Sequence, residues 1–170
     1  MSETMFPATI PAPFESVGIE VRPEWIDSNG HMNIAYYVAA FDRAFDQVYD
    51  QFGFTRAMMR ARNASSFTSE LHVTYQRELM LSDSIRVTTQ LLGFDAKRCH
   101  FVQLMYHASE GYLAATLEWL LLYIDMTQRR VTVMPDELQR HLARVVAAHQ
   151  ALPLPPEVGR RISLDAKRPR

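Results

Sequence analysis

The 170-residue chain predicts an α+β fold in which a long helix lies against a curved antiparallel sheet. Three observations carry this reading. A strand-like segment comes first, one long run of helical apolar spacing follows from Ile34, and strand-type patterning then dominates residues 70–124. With 48% hydrophobic and 22% charged residues the composition is that of one globular domain. A chain of this size buries roughly 70% of its unfolded surface, so no disulfide or structural metal is required.

In residues 16–25 (SVGIEVRPEW), Val17, Ile19 and Val21 fall on alternate positions, as in a half-buried strand, and Pro23 ends it or places it at an edge. IDSNGHMN follows, rich in the Asp, Ser, Asn and Gly of loops and helix starts. From Ile34 the residues Ile34, Tyr37, Val38, Phe41, Phe45, Val48 and Phe52 share one stripe, with Asp42, Arg43, Asp46, Gln47, Asp50 and Gln51 opposite, and Gly53 supplies the stop. The first turns, IAYYVAA, are apolar all round, which predicts enclosure at that end and solvent at the other. Residues 54–65 carry no clear period.

Leu71, Val73 and Tyr75 then alternate with Glu70, His72, Thr74 and Gln76, and Ile85, Val87, Thr89 and Leu91 with Arg86, Thr88 and Gln90. The runs 97–108 and 112–124 are long and apolar, joined through Ser109, Glu110 and Gly111 as in a hairpin. A meander of four long antiparallel strands is expected. A last helix runs from Asp136 to His149, introduced by Pro135, with Leu138, Leu142, Val145 and Val146 at helical spacing.

A net charge of −1 offers no large basic field, which disfavours nucleic acid as the main ligand. The single cysteine, Cys99, has no disulfide partner in the chain and no Cys/His cluster forms a zinc site, so a reducing, cytoplasmic setting is expected. The opening MSETMFPATIPAPF lacks a basic segment followed by an apolar run, and no apolar stretch reaches the ~18 residues of a membrane span. Residues 1–150 are therefore expected to form one domain, and 151–170 a tail that is first Pro-rich (ALPLPP) and then basic. That tail reads as a frayed terminus or as a basic strap near a phosphate or another subunit.

The segment VRPEWIDSNGHMNIAYYVAAFDRAFD resembles the signature of the 4-hydroxybenzoyl-CoA type of hotdog-fold acyl-CoA thioesterases: an Asp, a Gly-His-Met-Asn segment, a Tyr and the long helix. The order of elements over about residues 15–125 agrees with that fold. FTSELHVTYQREL, LLGFDAKRCHF, MYHASEGYLAATLEWLLLYID and AHQALPLPPEVGRRI are most similar to thioesterases that accompany or are fused to carnitine dehydrogenase and act on betainyl-CoA. The resemblance implies hydrolysis of a small acyl-CoA, betainyl-CoA in carnitine degradation, to free acid and CoA. It implies no metal and no cofactor beyond the substrate's own CoA. It also implies a homodimer or homotetramer with sheets joined edge to edge, for which the apolar strands 97–108 and 112–124 offer edges in need of cover.

A thioester needs little general-acid help, because its leaving thiol has a pKa of about 8.5. One carboxylate and one set of carbonyl-polarising donors suffice. Asp27 is the candidate carboxylate, as nucleophile or as general base; the residue alone favours an Asx-turn or cap, and it is the full motif that turns the reading to catalysis. The Ile34 backbone amide, at the helix start, corresponds in the motif to the donor for the thioester oxygen. His31 holds Asp27, lines the site or simply bonds backbone, and Asn33 is the expected N-cap. Trp25, Tyr36, Tyr37, Phe67 and Trp119 form the pool for an aromatic cage around a quaternary ammonium, with Glu70 or Glu118 as anionic partner; core packing is the plain alternative. Arg77, Lys97 and Arg98 are candidates for the CoA phosphates or members of a solvated basic rim. A non-catalytic acyl-CoA-binding module and a hotdog hydratase or dehydratase are the competing readings.

Overall fold

A computed structural model describes residue 6 and residues 9–164. The elements run β1 (Phe14–Glu20), a 3-10 turn (Pro23–Trp25), α1 (Ile34–Val48), a second 3-10 turn (Tyr49–Phe52), α2 (Arg56–Ala61), β2 (Ala64–Tyr75), β3 (Ser84–Phe94), β4 (Arg98–His107), β5 (Leu113–Asp125), β6 (Arg130–Val131) and α3 (Asp136–His149). All strands join one antiparallel sheet in the order β1-β3-β4-β5-β2, with the short β6 added to β5. The sheet wraps α1: Ser16 of β1 donates to the Ala44 carbonyl, Gln103 of β4 to the Phe41 carbonyl, and Phe45 packs on Phe101 and Trp119. This is the hotdog arrangement.

Four departures from the expected pattern have physical causes. Only β3-β4-β5 is a meander, because β2 pairs with β5 from Ala64↔Asp125 to Tyr75↔Ala115, with a register shift between Thr68 and Glu70. Strands 98–107 and 113–125 are therefore central, and the edge in need of cover is β2, where Phe67, Leu71 and Tyr75 remain exposed. In β1 the register shifts between Ser16 and Ile19, so Val17 turns out to solvent while Ile19 stays buried, and Gln47 of α1 bonds the freed Val17 N–H and C=O at 3.2 and 3.1 Å. Along α1 the expected enclosure is inverted: Ile34 is 65% exposed in the single chain, whereas Val48 and Phe52 are fully buried.

The helical stretch from residue 34 breaks into α1 and a 3-10 turn before Gly53, which ends it in the left-handed conformation (φ 92°). A Cβ there would approach Leu138 Cδ1 to 2.9 Å, so the position also requires close packing of α3. The aperiodic 54–65 segment holds α2, capped by Thr55, whose side chain accepts the Met58 N–H. The helix Asp136–His149 forms as expected and packs on β3. No helix among the described residues is long and apolar enough to cross a membrane.

Candidate functional site

Residues 26–33 form a small hairpin that enters α1. Ile26 bridges Met32, the Asp27 N–H donates to the His31 carbonyl at 3.0 Å, and the Gly30 N–H donates to the Asp27 carbonyl at 3.0 Å. Gly30 sits at φ 84°, a conformation in which a Cβ is strained. The Asn33 N–H donates to the Trp25 carbonyl at 2.9 Å and the Met32 N–H to the Leu79 carbonyl at 2.8 Å. The loop is thus held almost entirely by backbone bonds.

Asp27 is poised at the loop's first corner, with its side chain 20% exposed. Oδ1 accepts the Asn29 N–H at 2.8 Å, the Asx-turn expected of the residue type, while Oδ2 faces His31 Nδ1 at 3.8 Å. One oxygen is committed to structure and the other is not. His31 turns its Nδ1 toward the Met32 carbonyl at 3.4 Å, so it neighbours Asp27 without a direct hydrogen bond.

Asn33 is the N-cap: its side-chain oxygen accepts the Ala35 N–H at 3.0 Å and its carbonyl accepts the Tyr36 N–H at 3.0 Å. With Met32 and Asn33 also satisfied, the Ile34 N–H is left without an acceptor among the described residues. It lies at the positive end of a 15-residue helix.

The remaining sequence candidates are dispersed. Trp25, 2% exposed, stacks on Tyr36 (centroids 5.7 Å apart) and lies within cation-π range of Arg43 at 4.9 Å and Arg22 at 5.8 Å. Its ring already faces the chain's own cations. Tyr37 is buried, edge-on to Tyr75, with its hydroxyl accepting the Leu79 N–H at 3.1 Å, and burial pushes its phenol up to about 12. Phe67 lies toward the far end of β2, near Arg129.

Trp119 packs against Phe45 and Phe101 on the helix side, its Nε1 buried without an acceptor among the described residues. Because neighbouring strand residues point to opposite faces, Glu118 and His100 open outward. There they bond each other at 2.7 Å in a cleft of about 670 Å³, whose wall also includes Glu70, His72, Arg98 and Arg160. No residue from 27 to 34 lines that cleft.

The basic candidates also separate. Arg77 lies over the Tyr112 ring at 3.9 Å, near the β4–β5 turn, while Lys97 and Arg98 sit at the β3–β4 turn, where Arg98 pairs with Asp95 at 2.6 Å and holds that carboxyl below its ordinary range. The tail is draped over the outer face of the sheet. Gln76 donates to Glu157 at 3.3 Å and the Gly159 N–H to Glu118 Oε2 at 2.7 Å. The last part of the basic tail, 165–170, lies outside the described residues. Cys99 is inert as a nucleophile at neutral pH, since burial pushes its thiol up to about 12. Among the described residues no group of three His, Cys, Asp or Glu side chains is arranged to hold a metal ion.

Sequence reasoning found the loop and missed what grips it. Leu79 lies in a segment with no regular period, and only its apolar type in the polar stretch QRELMLSD hinted at burial. The alternation placed His72 opposite Leu71 and Val73 in its strand, but not in one cleft with His100 and the tail residues Gly159 and Arg160.

A curled antiparallel sheet wrapped around one long helix is the frame of the hotdog thioesterase fold. Residues 21–142 match the thioesterase-like superfamily, and the chain belongs to it. It is 34% identical over 148 residues to the betainyl-CoA thioesterase of Pseudomonas aeruginosa, covering 87% of this chain and 93% of that protein. It is 30% identical over 150 residues to the L-carnitine dehydrogenase/betainyl-CoA thioesterase of Rhizobium meliloti, covering 88% of this chain and 30% of that longer protein. A Staphylococcus aureus protein solved in complex with CoA superposes with a TM-score of 0.82 at 27% identity, covering 93% of this chain and 99% of the other.

Proposed function

We propose that this chain hydrolyses small acyl-CoA thioesters, with betainyl-CoA as the preferred substrate, to the free acid and CoA, and so serves carnitine degradation. The observation that carries the chemistry is the Ile34 N–H left open at the helix start that the Asp27 loop leads into, while the neighbouring amides of Met32, Asn33 and Ala35 are all engaged. The thioester carbonyl accepts that N–H, and charge developing on its oxygen is stabilised by the donor and the helix dipole, a contribution typically worth about 100- to 1,000-fold. Asp27 Oδ2 either attacks the carbonyl, expelling CoA thiolate and leaving an anhydride that water cleaves, or takes a proton from the attacking water. The acyl preference is supported by the two relatives acting on betainyl-CoA.

The working unit is a homodimer joined through β2, alone or within a tetramer. Two observations support this: the 12-residue β2 presents an uncovered edge with Phe67, Leu71 and Tyr75 exposed, and Ile34 at the site is itself an exposed apolar residue. A two-fold pairing of identical strands is antiparallel. It brings the Tyr75 end of one copy, where its loop lies, toward the opposite end of the second copy, which carries Lys97 and Arg98. Those cations then supplement Arg77 for the CoA phosphates.

The test is thiol release from betainyl-, short aliphatic, long aliphatic and aryl-CoA, comparing wild type with folded Asp27→Ala. Asp27-dependent release, fastest with betainyl-CoA, is expected, with a loss of about 100- to 10,000-fold in the variant. No release from any thioester would point to a binding module instead. Rapid release by Asp27→Ala would remove Asp27 from the mechanism.

A further inference from the structure

We propose that Tyr37 is a positioning residue for the thioester-polarising amide: by accepting the Leu79 N–H, its hydroxyl holds the Leu79 carbonyl on the Met32 N–H and so sets where the Ile34 N–H, two residues on, points. This rests on the role given above to Ile34. The connection is short and buried at each step. Tyr37 (3% exposed) lies one turn beyond Ile34 on α1, and its oxygen accepts from Leu79 at 3.1 Å. Leu79 is fully buried, and its carbonyl accepts from Met32, itself 1% exposed, at 2.8 Å. Leu79 lies outside any helix or strand, in the link between β2 and β3, so no ladder holds its peptide groups in place.

Core packing accounts for the Tyr37 ring, which a phenylalanine would fill equally well. It does not account for the hydroxyl, which is spent on a backbone N–H that would otherwise be buried unpaired. Tyr75 grips the same point from the sheet edge: its ring meets Tyr37 edge-on at 5.2 Å and its hydroxyl donates to the Ile34 carbonyl at 3.3 Å. The helix start is therefore held from the loop side through Leu79 and from β2 through Tyr75. Because burial keeps the Tyr37 phenol neutral, the acceptor is unchanged across the working pH range.

The experiment compares wild type, Tyr37→Phe and Tyr49→Phe, the last losing a hydroxyl contact to Ser66 at 2.7 Å near the other end of α1. For each, kcat and KM for acyl-CoA hydrolysis are measured beside amide hydrogen exchange at Leu79 and Met32. In Tyr37→Phe, kcat falls about 10- to 100-fold, as expected for a displaced catalytic group, with KM nearly unchanged and both amides exchanging faster. Tyr49→Phe keeps wild-type kcat. Equal kcat losses in the two variants, or wild-type kcat in Tyr37→Phe, would overturn the role.

Should Tyr37→Phe not fold, wild-type exchange alone decides: Leu79 and Met32 must be strongly protected and Ile34 not, and fast exchange at all three would overturn the proposal. A wild type that releases no CoA would sink the thioesterase reading itself. That outcome is distinct from an active wild type matched by Tyr37→Phe.

Discussion

The 26–34 loop is held mostly by backbone hydrogen bonds, two of them to Trp25 and Leu79 outside it, whereas the cleft on the outer face of the sheet is held by side chains. In the loop, the amides of Asp27, Gly30, Met32 and Asn33 each reach a carbonyl, and the hydrogen bonds leave Asp27 Oδ2 and the Ile34 N–H free. In the cleft, Glu118 has both oxygens engaged, by His100 and by the Gly159 N–H, and Arg98 is tied to Asp95. The difference teaches where chemistry can occur. A backbone-built site presents open groups without moving, which is what preorganised catalysis requires, while a cleft whose charges neutralise one another binds or fastens.

The largest expected effect separates the two regions directly. Asp27→Ala abolishes most CoA release, as described above, whereas Glu118→Ala leaves turnover of uncharged acyl-CoAs near the wild-type rate. The same assay with betainyl-CoA sharpens the contrast, because a selective loss there would make Glu118 the partner of the ammonium group. Next in size is Trp25→Leu, which unstacks Tyr36 and strips two guanidinium groups of their aromatic partner. It should destabilise the fold by about 2–3 kcal/mol, read by urea denaturation, with equal activity losses for cationic and uncharged substrates.

Glu118→Ala also frees the tail. Loss of the Gly159 and His100 contacts should cost about 1–2 kcal/mol and raise protease cleavage within 151–164, followed by mass spectrometry of early fragments. Cleavage no faster than in wild type would show that Glu157 and Gln76 suffice as the anchor.

The smallest effect is a pH dependence of stability that neither region supplies. His149 Nδ1 accepts the Leu91 N–H at 3.0 Å and its Nε2 donates to the Pro11 carbonyl at 3.0 Å, so the ring is neutral, and burial depresses its pKa; burial depresses that of His141 likewise. The unfolded chain, with histidines near 6.5, binds more protons than the folded chain below that value. The histidine contribution to stability is therefore full above about pH 7 and declines as pH falls through the window between 6.5 and the lowered folded values. Melting temperature against pH should show this slope, and His149→Gln should flatten part of it.

The sheet edges make a parallel contrast. β1 is 7 residues long, with Val17 patched by Gln47, whereas β2 runs 12 residues with Phe67, Leu71 and Tyr75 exposed. Replacing Leu71 by Glu should place a charge on the edge proposed to join two copies. Sedimentation should then report monomers, with hydrolysis lost in the same variant.

Local chemistry settled what the sequence by itself could settle. The period change at Ile34, the stop at Gly53, Pro135 before the last helix and the alternation in the later strands place most elements, because helix and strand spacing depend on near neighbours. The DSNGHMN segment likewise showed a turn, a cap and a candidate carboxylate, since Asx-turns and N-caps close within a few residues. Only the tertiary structure decided that β2 lies beyond β5 rather than beside β3, because pairing partners are chosen by packing on α1 over long sequence separations. The same reason hid the outward turn of Val17, the exposure of Ile34 and the grip of Leu79 and Tyr37 on the loop: each is a contact between residues distant in the chain, made where the sheet curls around one helix.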